Sequence, residues 1–252
     1  MANKVALILT GHYRSFDSTY PIWKEKVIDK YHPDVYMHIW RNIGNRLDVS
    51  PSDPSPPGGA LANARFSSDL VSEAKIKNDY GINNLVIEDY FTVEATEKFR
   101  ERTEPIKEEF ISRGLGDRRM IWFPSQYYKR LKGVEWAMSQ GQYDLIMLSR
   151  PDFLPDQFGK LKQPLTELNS SRVYATLYSS QEGYHDYYLI ASPVKLLEIC
   201  NIYHSLEYLF NWAKANGLSR MSCGHSLLTH YLEHIQCDVI QIPLLGHILR
   251  ER

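Results

Sequence analysis

Tyr143-Asp144-Leu145-Ile146-Met147-Leu148-Ser149-Arg150-Pro151-Asp152 decides how this chain is read. Its middle is apolar without alternation. A strand apolar at every position is buried on both faces, as in a mostly parallel sheet covered by helices. Two earlier runs have the same form: Val5–Leu9, which meets Thr10-Gly11-His12-Tyr13-Arg14-Ser15, and Val35–Ile39, which meets Trp40-Arg41-Asn42. Between them Trp23, Val27, Ile28 and Tyr31 recur at helical spacing before the stop His32-Pro33-Asp34. That order is a strand–helix–strand unit.

Working outward, Asp69–Tyr80 reads as a helix closed by Gly81, and Leu85–Glu88 as a fourth strand. Ser50–Gly59 holds four of the 13 prolines and two adjacent glycines, a composition that expects a loop, either covering a site or inert. Glu94–Arg113 is charge-rich and expected to be a solvated helix or an extended excursion, broken at Pro105; Ser125–Gln140 is expected to be an amphipathic helix. Strands are expected at Arg172–Leu177 and Tyr187–Ala191, then helices around Pro193–Ala215 and His225–His234. The expected class is α/β: one domain over 1–252, with a mostly parallel sheet and a mixed C-terminal half.

Composition narrows the function. The 252 residues carry 29 Lys+Arg against 30 Asp+Glu, so no global field recruits a polyanion, and nucleic acid is not an expected partner. The three cysteines form no C-x-x-C pair and suggest neither a disulfide framework nor a thiolate zinc site. The apolar N-terminal run is too short for a signal or membrane segment. A cytoplasmic location with no transmembrane segment is therefore expected.

In open α/β sheets ligands bind at the carboxyl ends of strands, so the residues just past each run are the candidates. After the first, Gly11 permits close backbone approach and Arg14 offers bidentate contact to phosphate, with Thr10 and Tyr13 beside them. The pattern is neither a Walker loop nor a G-x-G-x-x-G turn. After the second, Trp40 either paves a pocket or fills the core. After the third, Asp152 is placed to ligate a divalent cation, and Arg150 either holds phosphate or pairs with Asp152 at a turn.

Together these residues, with the helix opening Ser125-Gln126-Tyr127-Tyr128, resemble GT-A-type glycosyltransferases. More narrowly, they are similar to the glycosyltransferase-like proteins of bacterial polysaccharide loci and large DNA viruses. The resemblance spans roughly residues 4–195. It implies a nucleotide-diphosphate sugar as donor, held by the half up to about residue 155, and a glycan or lipid-linked acceptor at the remainder. Gln126 and Tyr127 would join the donor site, and Mn²⁺ or Mg²⁺ would sit at an Asp-x-Asp position. Here that position reads Arg150-Pro151-Asp152, so the first Asp is replaced, and Arg150 would take over part of the charge neutralisation. Asp186, before the strand at Tyr187, would be the base for the acceptor hydroxyl or an acceptor-binding residue; a turn cap is the plain reading. His247 would be a late metal ligand. Cys223-Gly224-His225 opens the last helix, where His230 and His234 stand four apart without a zincin pattern. The alternative to an enzyme is a catalytically silent carbohydrate- or nucleotide-sugar-binding module of the same fold.

Overall fold

The structure is a computed structural model that describes residues 2–43, 45–47, 64–66, 69–89, 93–112, 117–179, 183–218, 221 and 223–249. The Pro/Gly segment 50–59 lies outside them. A seven-stranded sheet organises the molecule: β1 (Val5–Gly11), β2 (Asp34–Trp40), β3 (Asn84–Glu88), β4 (Leu145–Ser149), β5 (Val173–Ala175), β6 (Leu189–Ala191) and β7 (Val239–Gln241). Their spatial order is β7-β5-β6-β4-β1-β2-β3. The pairs β1–β2, β1–β4, β2–β3 and β5–β7 are parallel, whereas β6 runs antiparallel to both β4 and β5.

One reversed strand has a direct consequence. The carboxyl ends of β1 through β5 and the amino end of β6 share one edge of the sheet, so residues following β1 and β4 meet residues preceding β6.

Both faces are covered, as the unalternated runs require. Ala6 and Ile8 of β1 and Ile146 and Leu148 of β4 join one layer with Leu131, Val134 and Ala137. Their neighbours Val5, Leu7, Leu9, Leu145 and Met147 join the other with Phe16, Trp23 and Ile76. Among the described residues the α-helices of eight residues or more are α1 (Phe16–Trp23), α2 (Glu73–Tyr80), α3 (Val93–Thr103), α4 (Asp117–Gln140), α5 (Pro193–Cys200), α6 (Ile202–Ala215) and α7 (Gly224–His234).

Several boundaries differ from expectation for local reasons. The first helical stretch starts at Phe16 and, after Pro21, widens into a π turn at Lys24–Ile28 before ending at Tyr31. α2 begins only at Glu73, because the Ser72 hydroxyl accepts from the Lys75 amide and caps it there. The helical stretch expected at 193–215 is two helices meeting at Asn201. The strand expected at 172–177 divides: Val173–Ala175 stays in the sheet, and Leu177–Ser179 turns away to pair with Gly183–Tyr184. The charged excursion is helical, with a 3₁₀ turn at Pro105, and it is not merely solvated: Phe99, Ile106 and Phe110 are buried. Among the described residues no helix is long and apolar enough to cross a membrane.

Candidate functional site

The loop after β1 is bent by two residues with positive φ. Gly11 sits at φ +115°, in the left-handed region where glycine alone is unstrained, and Arg14 sits at φ 43°. The Arg14 amide donates to the Ile43 carbonyl (2.8 Å), the Thr19 hydroxyl to the Pro151 carbonyl (2.6 Å) and the Ser15 hydroxyl to the Leu249 carbonyl (2.5 Å). The Leu249 amide in turn donates to the Asp152 carbonyl (2.8 Å). These bonds tie the loop to the tip of β4 and hold Arg14 in an uncommon backbone conformation.

At that tip, Arg150 donates from Nε to Asp152 Oδ1 and from Nη2 to Oδ2, each at 2.8 Å, while Arg14 Nη1 donates to Oδ2 at 2.7 Å. Asp152 is only 1% exposed; Arg14 and Arg150 keep 19% and 16% of their side chains accessible. Burial alone would raise the Asp152 pKa, but the Arg150 and Arg14 guanidiniums outweigh it and hold the carboxyl well below the usual carboxylate range. Two cations on one anion leave the Arg14–Arg150–Asp152 group itself with a net positive charge. His12 adds none: burial, reinforced by Arg14, holds its pKa near 3, and its Nδ1 lies 3.3 Å from the Asn42 carbonyl oxygen.

The resemblance implies a divalent cation at Asp152, and the side chains do not fit one. Both carboxylate oxygens are taken by guanidinium donors, so an added cation would face two fixed positive charges at contact distance. Among the described residues no group of three His, Cys, Asp or Glu converges as a ligand set. His247 is 55% exposed, with its Nδ1 3.5 Å from Asp156.

The second cluster lies before β6. Gln126 Nε2 donates to Asp186 Oδ2 (2.8 Å), and His225 Nδ1 stands 3.0 Å from Asp186 Oδ1 and 3.0 Å from its backbone nitrogen. The carboxylate meets the first turn of α7, where a Cβ on Gly224 would come within 2.5 Å of Oδ2; glycine makes that approach possible. Burial opposes ionisation of Asp186, yet His225, Arg130 and Arg150 outweigh it and hold its pKa well below the ordinary range. His185 is pushed down to about 4 by burial and by His225, and so stays neutral. The Tyr187 ring joins the clusters, with its centroid 5.8 Å from the Arg150 guanidinium carbon and 5.3 Å from the His225 ring. The Ser149 hydroxyl donates to the Tyr187 carbonyl (3.2 Å), fixing the spacing of the two strand ends.

The other sequence candidates face inward. Thr10 is buried and donates to the Ser149 carbonyl (3.4 Å), and Tyr13 is buried with its hydroxyl on Asp17. The Tyr127 hydroxyl donates to the Gly224 carbonyl (2.9 Å), locking α4 to α7. Trp40 is 2% exposed, stacked on Tyr128 with Lys129 Nζ 3.9 Å from its centre, so it offers no face to a base. Nothing in the sequence assigns a role to His225, or to the buried Lys129, which donates to Glu88 (2.6 Å) and the Ile39 carbonyl (3.0 Å) and whose pKa burial pushes down to about 8. A lysine inside an amphipathic helix carries no sign of burial, and a histidine after glycine only marks a helix start.

No family model matches the chain, nor does any curated relative. Solved structures that resemble it in outline include two glycosyltransferases. Ligand-free mouse xyloside xylosyltransferase 1 aligns at 9% identity and TM-score 0.48, over 94% of this chain and 85% of that one. The glycosyltransferase GlyE of Streptococcus pneumoniae TIGR4 aligns at 11% identity and TM-score 0.42, over 94% of this chain but 46% of that one. Both likenesses concern fold alone and carry no argument about the reaction.

Proposed function

We propose that the chain is a glycosyltransferase that takes a nucleotide-diphosphate sugar and passes the sugar to a glycan or lipid-linked acceptor, with Arg14 and Arg150 receiving the diphosphate. The observation that carries this reading is the pair of partly exposed guanidiniums converging at the carboxyl ends of β1 and β4, beside a carboxylate that aims but does not cancel them. The bond that breaks in glycosyl transfer leaves negative charge on the departing diphosphate. Preorganised cations at that point stabilise the transition state more than the ground state. Asp152 holds both forks in one orientation, so little rearrangement is needed when charge develops.

The acceptor belongs beyond Tyr187, where Asp186, Gln126 and His225 line the same sheet edge. Incubation with uridine, guanosine and thymidine diphosphate hexoses, with water as acceptor, tests the reading. Slow release of free sugar from at least one donor, lost in Arg150→Met, is the expected result. Binding of a donor with no release of sugar by any preparation identifies a silent binding module instead.

A further inference from the structure

We infer that Arg130 binds an acidic group of the acceptor, a carboxylate or a phosphate, beside Asp186; this rests on reading the crevice as a site of glycosyl transfer. Two adjacent residues of α4 carry buried cations and differ in their surroundings. Lys129 turns towards β2 and β3, where the Ile39 carbonyl and Glu88 accept from it. Arg130, about 100° further round the helix, is 4% exposed, and among the described residues no group accepts a hydrogen bond from its guanidinium. Five N–H donors in so enclosed a place are costly without an acceptor. An oxyanion answers them best, because the guanidinium fork matches two oxygens at once.

Three observations place that guanidinium at the acceptor end of the crevice. Gln126, which donates to Asp186 Oδ2 (2.8 Å), lies four residues earlier, so the two side chains share one face of α4. Long helical side chains lean towards the helix N-terminus, which carries the Arg130 stem back over the turn that holds Gln126 and Tyr127. The guanidinium carbon lies 5.5 Å from the centre of the Tyr127 ring, whose hydroxyl donates to the Gly224 carbonyl (2.9 Å) at the start of α7, where Asp186 packs. Burial opposes ionisation of Asp186, and of the charges that offset it Arg130 comes after His225 and ahead of Arg150. Gln126 and His225, not Arg130, stand at contact distance from the Asp186 carboxylate, so the Arg130 fork is kept for another anion.

The crevice then has two cationic stations with different tasks. Arg14 and Arg150, aimed by Asp152, receive the departing diphosphate. Arg130, beside Asp186, grips the acid of the acceptor and so orients its hydroxyl. A neutral analogue leaves this guanidinium unpaired, which is the strong form of discrimination.

Binding of small acids tests the site without any reaction. Methyl glucuronide and hexyl phosphate are the acid probes, with methyl glucoside and hexanol as their neutral counterparts, titrated with excess uridine or guanosine diphosphate present to occupy Arg14 and Arg150. The wild-type protein should bind at least one acid about tenfold or more tightly than its counterpart, as a charge-assisted pair requires. Preference for the glucuronide marks a sugar acid, and preference for hexyl phosphate marks a lipid-linked phosphate. Arg130→Met removes the preference and leaves nucleoside diphosphate affinity within about twofold, whereas Arg14→Ala keeps the preference. The side-chain Nε–H resonance that Arg130→Lys deletes should also shift in the wild type as acid is added, a readout that does not need the Met variant to fold. Equal binding of acid and neutral probes, an unmoved Arg130 resonance, or a preference lost in Arg14→Ala in place of Arg130→Met overturns the proposal and leaves the transfer reading standing. Acid bound at Arg130 by a protein that releases sugar from no donor overturns the transfer reading, and the acceptor role of Arg130 with it.

Discussion

Asp152 carries the structural anion of the crevice, and its substitution separates charge from shape. Asp152→Asn keeps the size but leaves Arg14 and Arg150 facing each other without a counterion, which is the costly way to break a buried pair. A loss of about 3 kcal/mol is expected in urea denaturation; wild-type stability in this variant contradicts the arrangement. The pH dependence follows with a definite sign. Asp152 and Asp186 both have depressed folded-state pKa values, so the unfolded chain binds protons first as pH falls. Their stabilisation is fully present above the ordinary carboxylate range near pH 4 and is lost progressively below it. Melting temperatures measured from pH 7 to pH 3 should fall less steeply in Asp152→Asn than in the wild type. Of the two partners of Asp152, Arg150 is one the sequence itself offers, as an Arg–Asp pair at the turn opened by Pro151, whereas Arg14 lies 138 positions away and no local pattern links it to Asp152.

Among the elements, α4 sets how closely the helical layer meets the sheet. Gly133 lies over β1, where an added Cβ would come 2.8 Å from Thr10 Cγ2 and 3.2 Å from Ile8 Cγ2. Alanine is the better helix former by about 1 kcal/mol, but both neighbours are buried, β-branched side chains with no room to turn. Gly133→Ala should therefore destabilise by about 1–3 kcal/mol through overpacking. Stabilisation of the variant in thermal or urea unfolding is the contrary result. The long strands were readable because β1, β2 and β4 carry apolar runs without alternation, β2 interrupted only by the buried His38, a pattern that two-sided burial explains. The direction of β6 was not readable: Leu189-Ile190-Ala191 carries no mark of being antiparallel, yet that reversal brings Asp186 to the edge that holds Asp152. The capped start of α2 was available in Ser72, a short polar side chain three residues before the amide it accepts from.

Across the whole molecule, the proposed transfer uses fixed guanidiniums where a divalent ion would otherwise neutralise the departing diphosphate. The crevice is assembled from distant pieces: the loop after β1, the tip of β4, the approach to β6, and the stretch at Leu249 bonded to both Ser15 and Asp152. Such long-range closure explains why residue types were legible one by one while their grouping was not. Isothermal titration of uridine and guanosine diphosphates into the protein, in buffer containing EDTA, separates guanidinium from divalent-ion neutralisation. Saturable binding of at least one of them without added metal is expected, weakened in Arg14→Ala by about 1.5–3 kcal/mol, the worth of a charge-assisted bond. Binding that appears only on adding Mn²⁺ or Mg²⁺, or that Arg14→Ala leaves unchanged, contradicts that role of the guanidiniums.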